Sequence, residues 1–215
     1  MKVYGSRISY YTGKLEAYLR YKGIAYTSHP TPYGDAKLLK EKVGAVQMPL
    51  VEREDGRWMS DSTPMLLQLE TEYPDRPILP ADPVVSFVAH LIEDYADEWL
   101  WRPAMHYRWH YRYDRLLASN ILVDEVMRHL KLPRWLKRQM IQNRQIKHFV
   151  RRDGVTDSSR EHVEQGYFHA LDNMTAMLKN RPFLLGNAPS LADFGLMGPM
   201  FRHFGEDTTP QELMR

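Results

Sequence analysis

Residues 47–63 read QMPLVEREDGRWMSDST and contain the clearest structural signals in the chain. Two short apolar runs, at residues 48–52 and 57–59, flank the dipeptide Asp55-Gly56. An Asp-Gly pair between two such runs is typical of a β-hairpin, because glycine readily adopts the left-handed conformation that the turn requires. The Ser-Thr-Pro sequence that follows predicts the start of a helix over residues 62–72.

The segment upstream of this hairpin supplies the rest of a small α/β unit. Residues 2–4 predict a strand, and a helix that ends at Lys22-Gly23 is predicted from the spacing of three apolar residues, Leu15, Tyr18 and Leu19. Residues 24–27 predict a second strand, and a further helix is expected before the hairpin. The order β-α-β-(helix)-β-β-α describes a compact unit of ~80 residues.

A proline-rich segment separates this unit from the rest of the chain. Residues 73–83 contain four prolines, which cannot continue a helix and are typical of a linker. Beyond Pro83 the strand signals disappear, and helical spacing recurs over residues 84–115, 121–130, 133–151 and 159–179. We therefore expect an α/β domain at residues 1–79, a linker at 80–83 and an all-helical domain at 84–215.

The composition is that of an ordinary globular protein. Of 215 residues, 43% are hydrophobic and 26% are charged, and the net charge of +2 gives no general attraction to nucleic acid or to an anionic membrane. No apolar run approaches the ~18 residues that span a bilayer, and the N-terminus has no apolar leader region, so a cytoplasmic location is expected. The absence of cysteine excludes disulfides, thiolate metal sites and a cysteine nucleophile.

Four local motifs lie at informative places in this architecture. They are Tyr4-Gly5-Ser6-Arg7-Ile8-Ser9 before the first helix, Gln47-Met48-Pro49-Leu50 before the hairpin, Ser60-Asp61-Ser62-Thr63 after it, and residues 183–194 in the helical half. Together they resemble a cytosolic glutathione transferase of the serine type. The resemblance implies a thioredoxin-like N-terminal domain with an all-α C-terminal domain, glutathione as cosubstrate, a small hydrophobic electrophile as second substrate and a homodimer. It implies no metal.

The first motif concerns activation of a thiol. By the resemblance, Ser9 lies where serine-type members keep the catalytic hydroxyl, and a hydroxyl at a helix N-terminus can stabilise a thiolate. A simpler interpretation makes Ser9 only an N-cap. Tyr4, Tyr10 and Tyr11 remain alternative hydroxyls. Two positions depart from the family pattern. Tyr10 occupies a position where a proline or a small residue is frequent, and Glu16 occupies one where a basic residue is common.

The second and third motifs concern binding of the tripeptide. By the resemblance, Met48-Pro49 contains a cis-proline bond that exposes the backbone of Met48 for strand-like pairing. Asp61 and Ser62, at a helix N-terminus, would hold the γ-glutamyl end. The simpler interpretations are a strand-initial proline and an N-cap. Lys40 or Lys42 would meet the glycyl carboxylate, and the spacing does not choose between them.

The helical half contains a candidate pocket for the second substrate. A stripe at i+4 spacing, formed by Trp101, Met105, Trp109 and Tyr113, predicts a face that is part core and part pocket, with Tyr11 opposite. Single-stranded nucleic acid is a less favoured reading of this aromatic and basic region. A second ladder of the same spacing predicts a polar face of charge pairs rather than a metal site, and comprises Asp94, Glu98, Arg102, His106, His110 and Asp114.

Two further features have structural interpretations. Residues 126–152 carry nine Lys or Arg and no acid, which predicts a basic amphipathic stretch, more often a solvated outer face than a membrane-binding one. Ser190 and Asp193 form the Ser-x-x-Asp pattern of a capping box, a helix-start device. The chain continues for 22 residues after Asp193, whereas the family normally continues through another helix or more.

The function that these features favour is conjugation of the glutathione thiolate to a hydrophobic electrophile. The first alternative is a catalytically silent member that uses the fold for binding or interaction. The second is a glutathione-dependent isomerase or dehalogenase. Thiol exchange through an enzyme thiolate is not expected in a chain without cysteine.

Overall fold

The computed structural model describes all 215 residues. The elements of the N-terminal part are β1 (Lys2–Gly5), α1 (Tyr10–Lys22), β2 (Thr27–Pro30), a 3₁₀ turn (Tyr33–Asp35), α2 (Ala36–Val43), β3 (Leu50–Glu52), β4 (Trp58–Ser60) and α3 (Ser62–Glu72). They reproduce the order predicted from the sequence and form the thioredoxin-like N-terminal domain.

The four strands form one mixed sheet in the order β2-β1-β3-β4. β1 pairs in parallel with β2 and antiparallel with β3, with Val3 opposite Val51. β3 and β4 form the predicted hairpin, and Gly56 in its turn has a φ of 81°. This left-handed conformation is the reason why glycine follows Asp55.

The second strand begins later than the sequence predicts. Gly23 ends α1 in a left-handed conformation, and the N–H of Ile24 still donates to the carbonyl of Leu19. β2 therefore starts at Thr27, and all four of its residues are exposed. The apolar residues that suggested a strand at 24–27 lie in the connection. The edge strand is polar, and a search for apolar runs misses it.

The remainder of the chain is helical. Its elements are α4 (Pro83–Asp94), a π-helical turn (Tyr95–Trp99), α5 (Trp101–His110), α6 (Arg112–Val126), α7 (Arg134–Gln145), a second π-helical turn (Ile146–Arg151), α8 (Arg160–Leu178), α9 (Leu191–Pro199), a third π-helical turn (Met200–Phe204) and α10 (Thr208–Leu213). α9 begins with the capping box of Ser190 and Asp193. No helix has the length and hydrophobicity that a membrane span requires.

The first helical region is broken, whereas its spacing predicted continuity from residue 84 to 115. Tyr111 is extended, with a ψ of 137°, and separates α5 from α6. Tyr113 therefore leaves the aromatic stripe and is 78% exposed. The side chain of Tyr111 stacks on Tyr107 and donates to Glu164, so contacts with distant parts of the chain accompany the break.

The same break corrects the polar ladder. His106 is buried and its Nε2 lies 2.7 Å from the Glu164 carboxylate. Asp114 is also buried, and it accepts hydrogen bonds from the backbone and hydroxyl of Thr209 just before the chain ends. These two residues join α5 and α6 to Glu164 and Thr209 in other helices, so the prediction of a single polar face of charge pairs is wrong for them.

One hydrophobic core spans the N-terminal domain and the helices next to it. Its 20 residues include Val3 and Leu15 of the α/β unit together with Ala89 of α4 and Phe194 of α9. A second core, around α5, α6 and α7, includes Ile8 from the loop after β1. That loop is therefore packed from both sides, which positions the start of α1 against the helical remainder.

Candidate functional site

A cleft of about 850 Å³ opens between the N-terminal domain and the helices. Its walls include the start of α1, the loop before β3 and the start of α3. On the helical side they include α4, α5, the end of α7 and the π-helical turns at Tyr95–Trp99 and Ile146–Arg151. Of the predicted site residues, the cleft contains Ser9, Tyr10, Tyr11, Met48, Pro49, Asp61, Ser62, Trp101, Met105 and Trp109.

Ser9 is the N-cap of α1 and faces the cleft. Its hydroxyl oxygen accepts from the N–H of Thr12 at 3.3 Å, and its own proton is donated to no group of the protein. The cap geometry follows from the extended backbone of Ser9, with φ −78° and ψ 127°. Capping and donation to a ligand are therefore compatible, because the cap uses only the oxygen.

Tyr10 and Tyr11 also border the cleft, but their hydroxyl protons are already used. Tyr10 donates to the carbonyl of Ala96, and Tyr11 donates to the carbonyl of Asp97 at 3.0 Å. Burial raises the pKa of both phenols well above the ordinary value, with a contribution from the negative charge of Asp97. Both residues anchor α1 to the first π-helical turn.

Tyr4 lies away from the cleft, which corrects its place among the candidate hydroxyls. Its ring stacks on Trp58 across the sheet with centroids 5.4 Å apart, and its hydroxyl donates to Glu52 at 2.7 Å. Burial and this carboxylate raise the pKa of Tyr4 to about 12. Tyr4 therefore has no contact with the site that a thiol would occupy.

The start of α3 presents donors to the cleft. The N–H groups of Ser62 and Thr63 precede the first helical hydrogen bond, which joins Met65 N–H to the carbonyl of Asp61, and neither is paired within the chain. The Ser62 hydroxyl is also without a partner in the protein. Asp61 has a left-handed φ of 71°, which turns the chain into the helix. Two free N–H groups and a hydroxyl at a helix N-terminus suit a carboxylate.

The loop before β3 presents backbone groups beside them. The peptide bond between Met48 and Pro49 is cis, as the sequence resemblance implied. Neither the N–H nor the C=O of Met48 is hydrogen-bonded within the chain, and Met48 and Gln47 both border the cleft. Lys40 and Lys42 are exposed in the last turn of α2 and do not border it, so neither residue is at hand for a ligand carboxylate.

An aromatic row forms the floor on the helical side. Tyr11 stacks on Trp101 with centroids 5.5 Å apart, and Trp101 meets Phe149 edge-on at 6.1 Å. Met105 and Trp109 continue this side of the cleft along α5, and both side chains are buried. The i+4 spacing predicted three of these residues, whereas Phe149 comes from the second π-helical turn and was assigned to the basic stretch.

A buried charged cluster lies beneath the start of α3, and the sequence did not reveal it. Lys14 is fully buried, and its ammonium donates to Thr63 at 2.8 Å, to Asp97 at 2.6 Å and to Glu93. One cation thus faces two carboxylates from α4 and the first π-helical turn. Burial raises the pKa of Asp97 to about 6, although Lys14 opposes the shift. The cluster joins α1, α3 and α4 at the base of the cleft.

Two buried arginines hold the loop that precedes Ser9. Arg108 donates to the carbonyl of Ile8 at 2.7 Å and to Asp207, and its contact with His203 at 2.8 Å fits a neutral imidazole, since burial and Arg108 lower the pKa of His203. Arg202 donates to the carbonyl of Arg7.

Arg202 also explains one departure from the family pattern. It donates to Glu16 at 2.6 Å, and both side chains are buried. The acid at position 16 is therefore the partner of an arginine that lies 186 residues away. The departure of Glu16 from the family pattern was the only sequence signal for this pair, and it did not identify the partner.

This combination of a thioredoxin-like domain, a cis-proline beside a cleft and a helical remainder defines the glutathione S-transferase fold. Residues 3–77 match the family model "Glutathione S-transferase, N-terminal domain". The N-terminal domain belongs to that family, and the chain as a whole has its fold.

Solved structures of low sequence identity share this fold. A glutathione S-transferase from Rhodospirillum rubrum F11 superposes with a TM-score of 0.63 at 14% identity, over 98% of this chain and 81% of that one. The β-etherase LigF from Sphingobium sp. strain SYK-6 gives 0.62 at 18% identity, over 92% and 81%. A Methylobacterium radiotolerans glutathione S-transferase, in complex with glutathione sulfonate, gives 0.50 at 18% identity, over 90% and 74%. No curated protein matches the sequence significantly.

Proposed function

We propose that the protein is a glutathione transferase that joins the glutathione thiolate to a hydrophobic electrophile, with Ser9 as the residue that stabilises the thiolate. The observation that carries the proposal is the state of the four candidate hydroxyls. Ser9 alone lies at the cleft with its proton undonated, whereas Tyr10 and Tyr11 donate to backbone carbonyls and Tyr4 lies elsewhere.

The tripeptide would extend from α3 to α1 along the N-terminal domain. The γ-glutamyl carboxylate would accept from the Ser62 hydroxyl and from the N–H groups of Ser62 and Thr63. The cysteinyl residue would pair with the backbone of Met48, whose N–H and C=O are both free. Asp61, with its exposed carboxylate at the same helix start, suits the γ-glutamyl ammonium group.

The chemistry needs a thiolate at neutral pH. A free thiol has a pKa of about 8.5, and hydrogen bonding together with a helix N-terminus lowers such a pKa by one to several units. The Ser9 hydroxyl would donate to the sulfur while the thiol proton leaves to solvent. The sulfur then forms a bond to the electrophilic carbon, and the leaving group departs with its electron pair, or, in an addition, the substrate takes up a proton.

The same thiolate would serve an isomerase or a dehalogenase, which differ in the second substrate rather than in the glutathione site. Glu16 departs from the family pattern, but it pairs with Arg202 outside the cleft, so this departure is no argument for a catalytically silent member. If the protein binds no glutathione, the alternative of an interaction protein is favoured instead.

The test is calorimetric titration of glutathione into the wild type, Ser62→Ala and Ser60→Ala. Loss of a hydrogen bond to a charged group costs about 1.5–3 kcal/mol, so Ser62→Ala is expected to weaken binding by roughly 10- to 150-fold. Ser60 lies two residues earlier, on β4, and does not border the cleft. Ser60→Ala is therefore the matched control, and it is expected to leave the affinity for glutathione unchanged.

Two results would contradict the proposed site. The first is equal binding by Ser62→Ala and the wild type. The second is no binding to the wild type by calorimetry and by a second method such as tryptophan fluorescence.

A further inference from the structure

The cleft has a cationic rim at the far end of its aromatic floor. Arg144 lies on α7, His148 lies in the π-helical turn at Ile146–Arg151, and Arg152 directly follows that turn. The three residues recur at i+4 spacing, and all of them border the cleft. A π-helical turn is wider than an α-helical one, and such turns are frequent at functional sites. Here the turn contains His148 and Phe149 and ends directly before Arg152, and all three residues border the same opening.

The two arginines have no partner within the chain. No carboxylate forms an ion pair with the guanidinium of Arg144 or Arg152, and neither guanidinium makes a hydrogen bond to the protein. Arg144 lies over the ring of Phe149, with its guanidinium carbon 5.1 Å from the ring centroid. Its charge also favours ionisation of Tyr33 across the cleft, where burial raises the pKa of the phenol.

The acids that border the cleft either lie away from the cationic rim or already accept hydrogen bonds from other groups. Glu93 and Asp97 share Lys14 at the base of α3, and Asp153 accepts from the indole of Trp101 at 3.0 Å. The remaining acids are Asp61, Asp94 and Glu98, which come from the α3 start, α4 and the first π-helical turn. The cleft is therefore acidic on the side of α3 and α4. On the side of α7 it is lined by Arg144, His148 and Arg152, with Asp153 as the acid that borders it there.

The aromatic row connects the thiol end to the basic end. It runs from Ser9 and Tyr11 through Trp101 to Phe149, and Arg144 lies against its last ring. A substrate ring on this floor would have its reactive carbon toward Ser9 and its distal substituent among Arg144, His148 and Arg152. Guanidinium groups bind carboxylates in a fixed, often bidentate geometry.

We propose that the second substrate is an aromatic electrophile that carries an anionic group such as a carboxylate, and that Arg144 and Arg152 select it through that group. This inference rests on the proposed glutathione transferase function and names the substrate class of the same site. It also gives a role to two arginines of the basic stretch at residues 126–152, which contains no acidic residue.

The test compares two substrates with the same reactive carbon. They are a chlorodinitrobenzoate, with the chlorine para to the carboxylate and flanked by the nitro groups, and its methyl ester. In both, the glutathione sulfur bonds to the ring carbon and chloride leaves with the C–Cl electron pair. The ratio of kcat/KM for the acid to kcat/KM for the ester is measured in the wild type, in the double variant Arg144→Gln/Arg152→Gln and in Arg151→Gln. Arg151→Gln is the control, because Arg151 is exposed and does not border the cleft.

The expected result is a fall in this ratio of roughly 5- to 25-fold in the double variant, through KM for the acid, because each of the two exposed ion pairs contributes up to about a factor of five. The ester kinetics and the Arg151→Gln ratio stay at the wild-type values. High salt lowers the wild-type ratio, since screening weakens the pair. An unchanged ratio in the double variant, with the ester still turned over, overturns the inference and leaves the transferase function standing.

A binding measurement separates this inference from the proposed function. Dinitrobenzoate without chlorine cannot react, and its binding is followed by quenching of tryptophan fluorescence from Trp101 and Trp109. Weaker binding in the double variant but not in Arg151→Gln supports the anion site, even in a protein without transferase activity. Equal binding in all three proteins, or no binding at all, overturns it.

Discussion

At the scale of single residues, the site is defined by which polar groups are already hydrogen-bonded. Ser9 caps α1 through its oxygen and keeps its proton, whereas the phenols of Tyr10 and Tyr11 are committed to the carbonyls of Ala96 and Asp97. A hydroxyl that donates to a carbonyl in a buried place gives up that bond only at a cost. The proposed role of Ser9 therefore rests on its undonated hydroxyl proton as well as on its position at the cleft.

Asp97 provides a pH-dependent prediction at the same scale. Its pKa of about 6 in the folded protein lies above the ordinary value, so the folded state binds a proton more tightly than the unfolded chain. The wild type therefore loses stability from this group as the pH rises from about 4 to 6, and the contribution is constant above that window. Asp97→Asn removes the ionisable group and leaves Glu93 as the one carboxylate beside Lys14. This variant therefore does not show the loss of stability that Asp97 causes.

The free energy of unfolding of Asp97→Asn is thus expected to rise relative to the wild type across this window, by an amount on the order of 3 kcal/mol. Urea unfolding at several pH values measures the difference. Asp94→Asn is the control, because Asp94 is exposed and forms no ion pair. A difference between Asp97→Asn and the wild type that does not change with pH would contradict the account of the cluster.

At the scale of elements, local signals predicted the N-terminal domain well. Asp55-Gly56 between apolar runs identified the hairpin, Lys22-Gly23 ended α1, and Ser62 opened α3, because each signal is a backbone requirement satisfied within a few residues. β2 was displaced because an exposed edge strand carries no apolar pattern. Its register comes from pairing with β1, which is not visible locally.

The helical region shows the limit of spacing arguments. The i+4 pattern correctly grouped Trp101, Met105 and Trp109 on one face, but it continued through Tyr111, where the helix breaks. The reasons for the break lie far along the chain, in Glu164 and in the Thr209 that meets Asp114. A period reports which residues share a face only while the helix is unbroken.

The candidate site was predictable where a motif carried it and hidden where distant charges did. Ser9, Met48 and Ser62 could be located by resemblance and helix-start chemistry. Lys14, Arg108 and Arg202 could not, because each of them is satisfied by partners that come from other elements. A single sequence does not pair buried charges across such separations.

At the scale of the whole molecule, α4 carries an unpartnered apolar stripe. Three residues at helical spacing, Val84, Phe87 and Leu91, are each more than half exposed. Exposed apolar surface of this kind is typical of an interface. Since the family resemblance implies a homodimer, we expect the stripe to meet its own copy across a twofold axis.

Leu91→Glu is accordingly expected to convert a dimer to a monomer, because it would place two carboxylates in an apolar contact. Light scattering after size exclusion gives the mass. Leu117→Glu, at a similarly exposed leucine on α6, is the matched control and leaves the mass unchanged. A wild type with the mass of one chain, or a dimer that persists in Leu91→Glu, would rule this interface out.

The central claim is that the Ser9 hydroxyl stabilises a glutathione thiolate in the cleft. It is tested most directly by the pKa of glutathione bound to the protein, followed through the ultraviolet absorbance of the thiolate. The account predicts a bound pKa at least one unit below the ordinary thiol value of about 8.5, kept in Ser9→Thr and Tyr11→Phe and lost in Ser9→Ala. A bound thiol that titrates at its ordinary value, or a lowered pKa that survives Ser9→Ala, would contradict it.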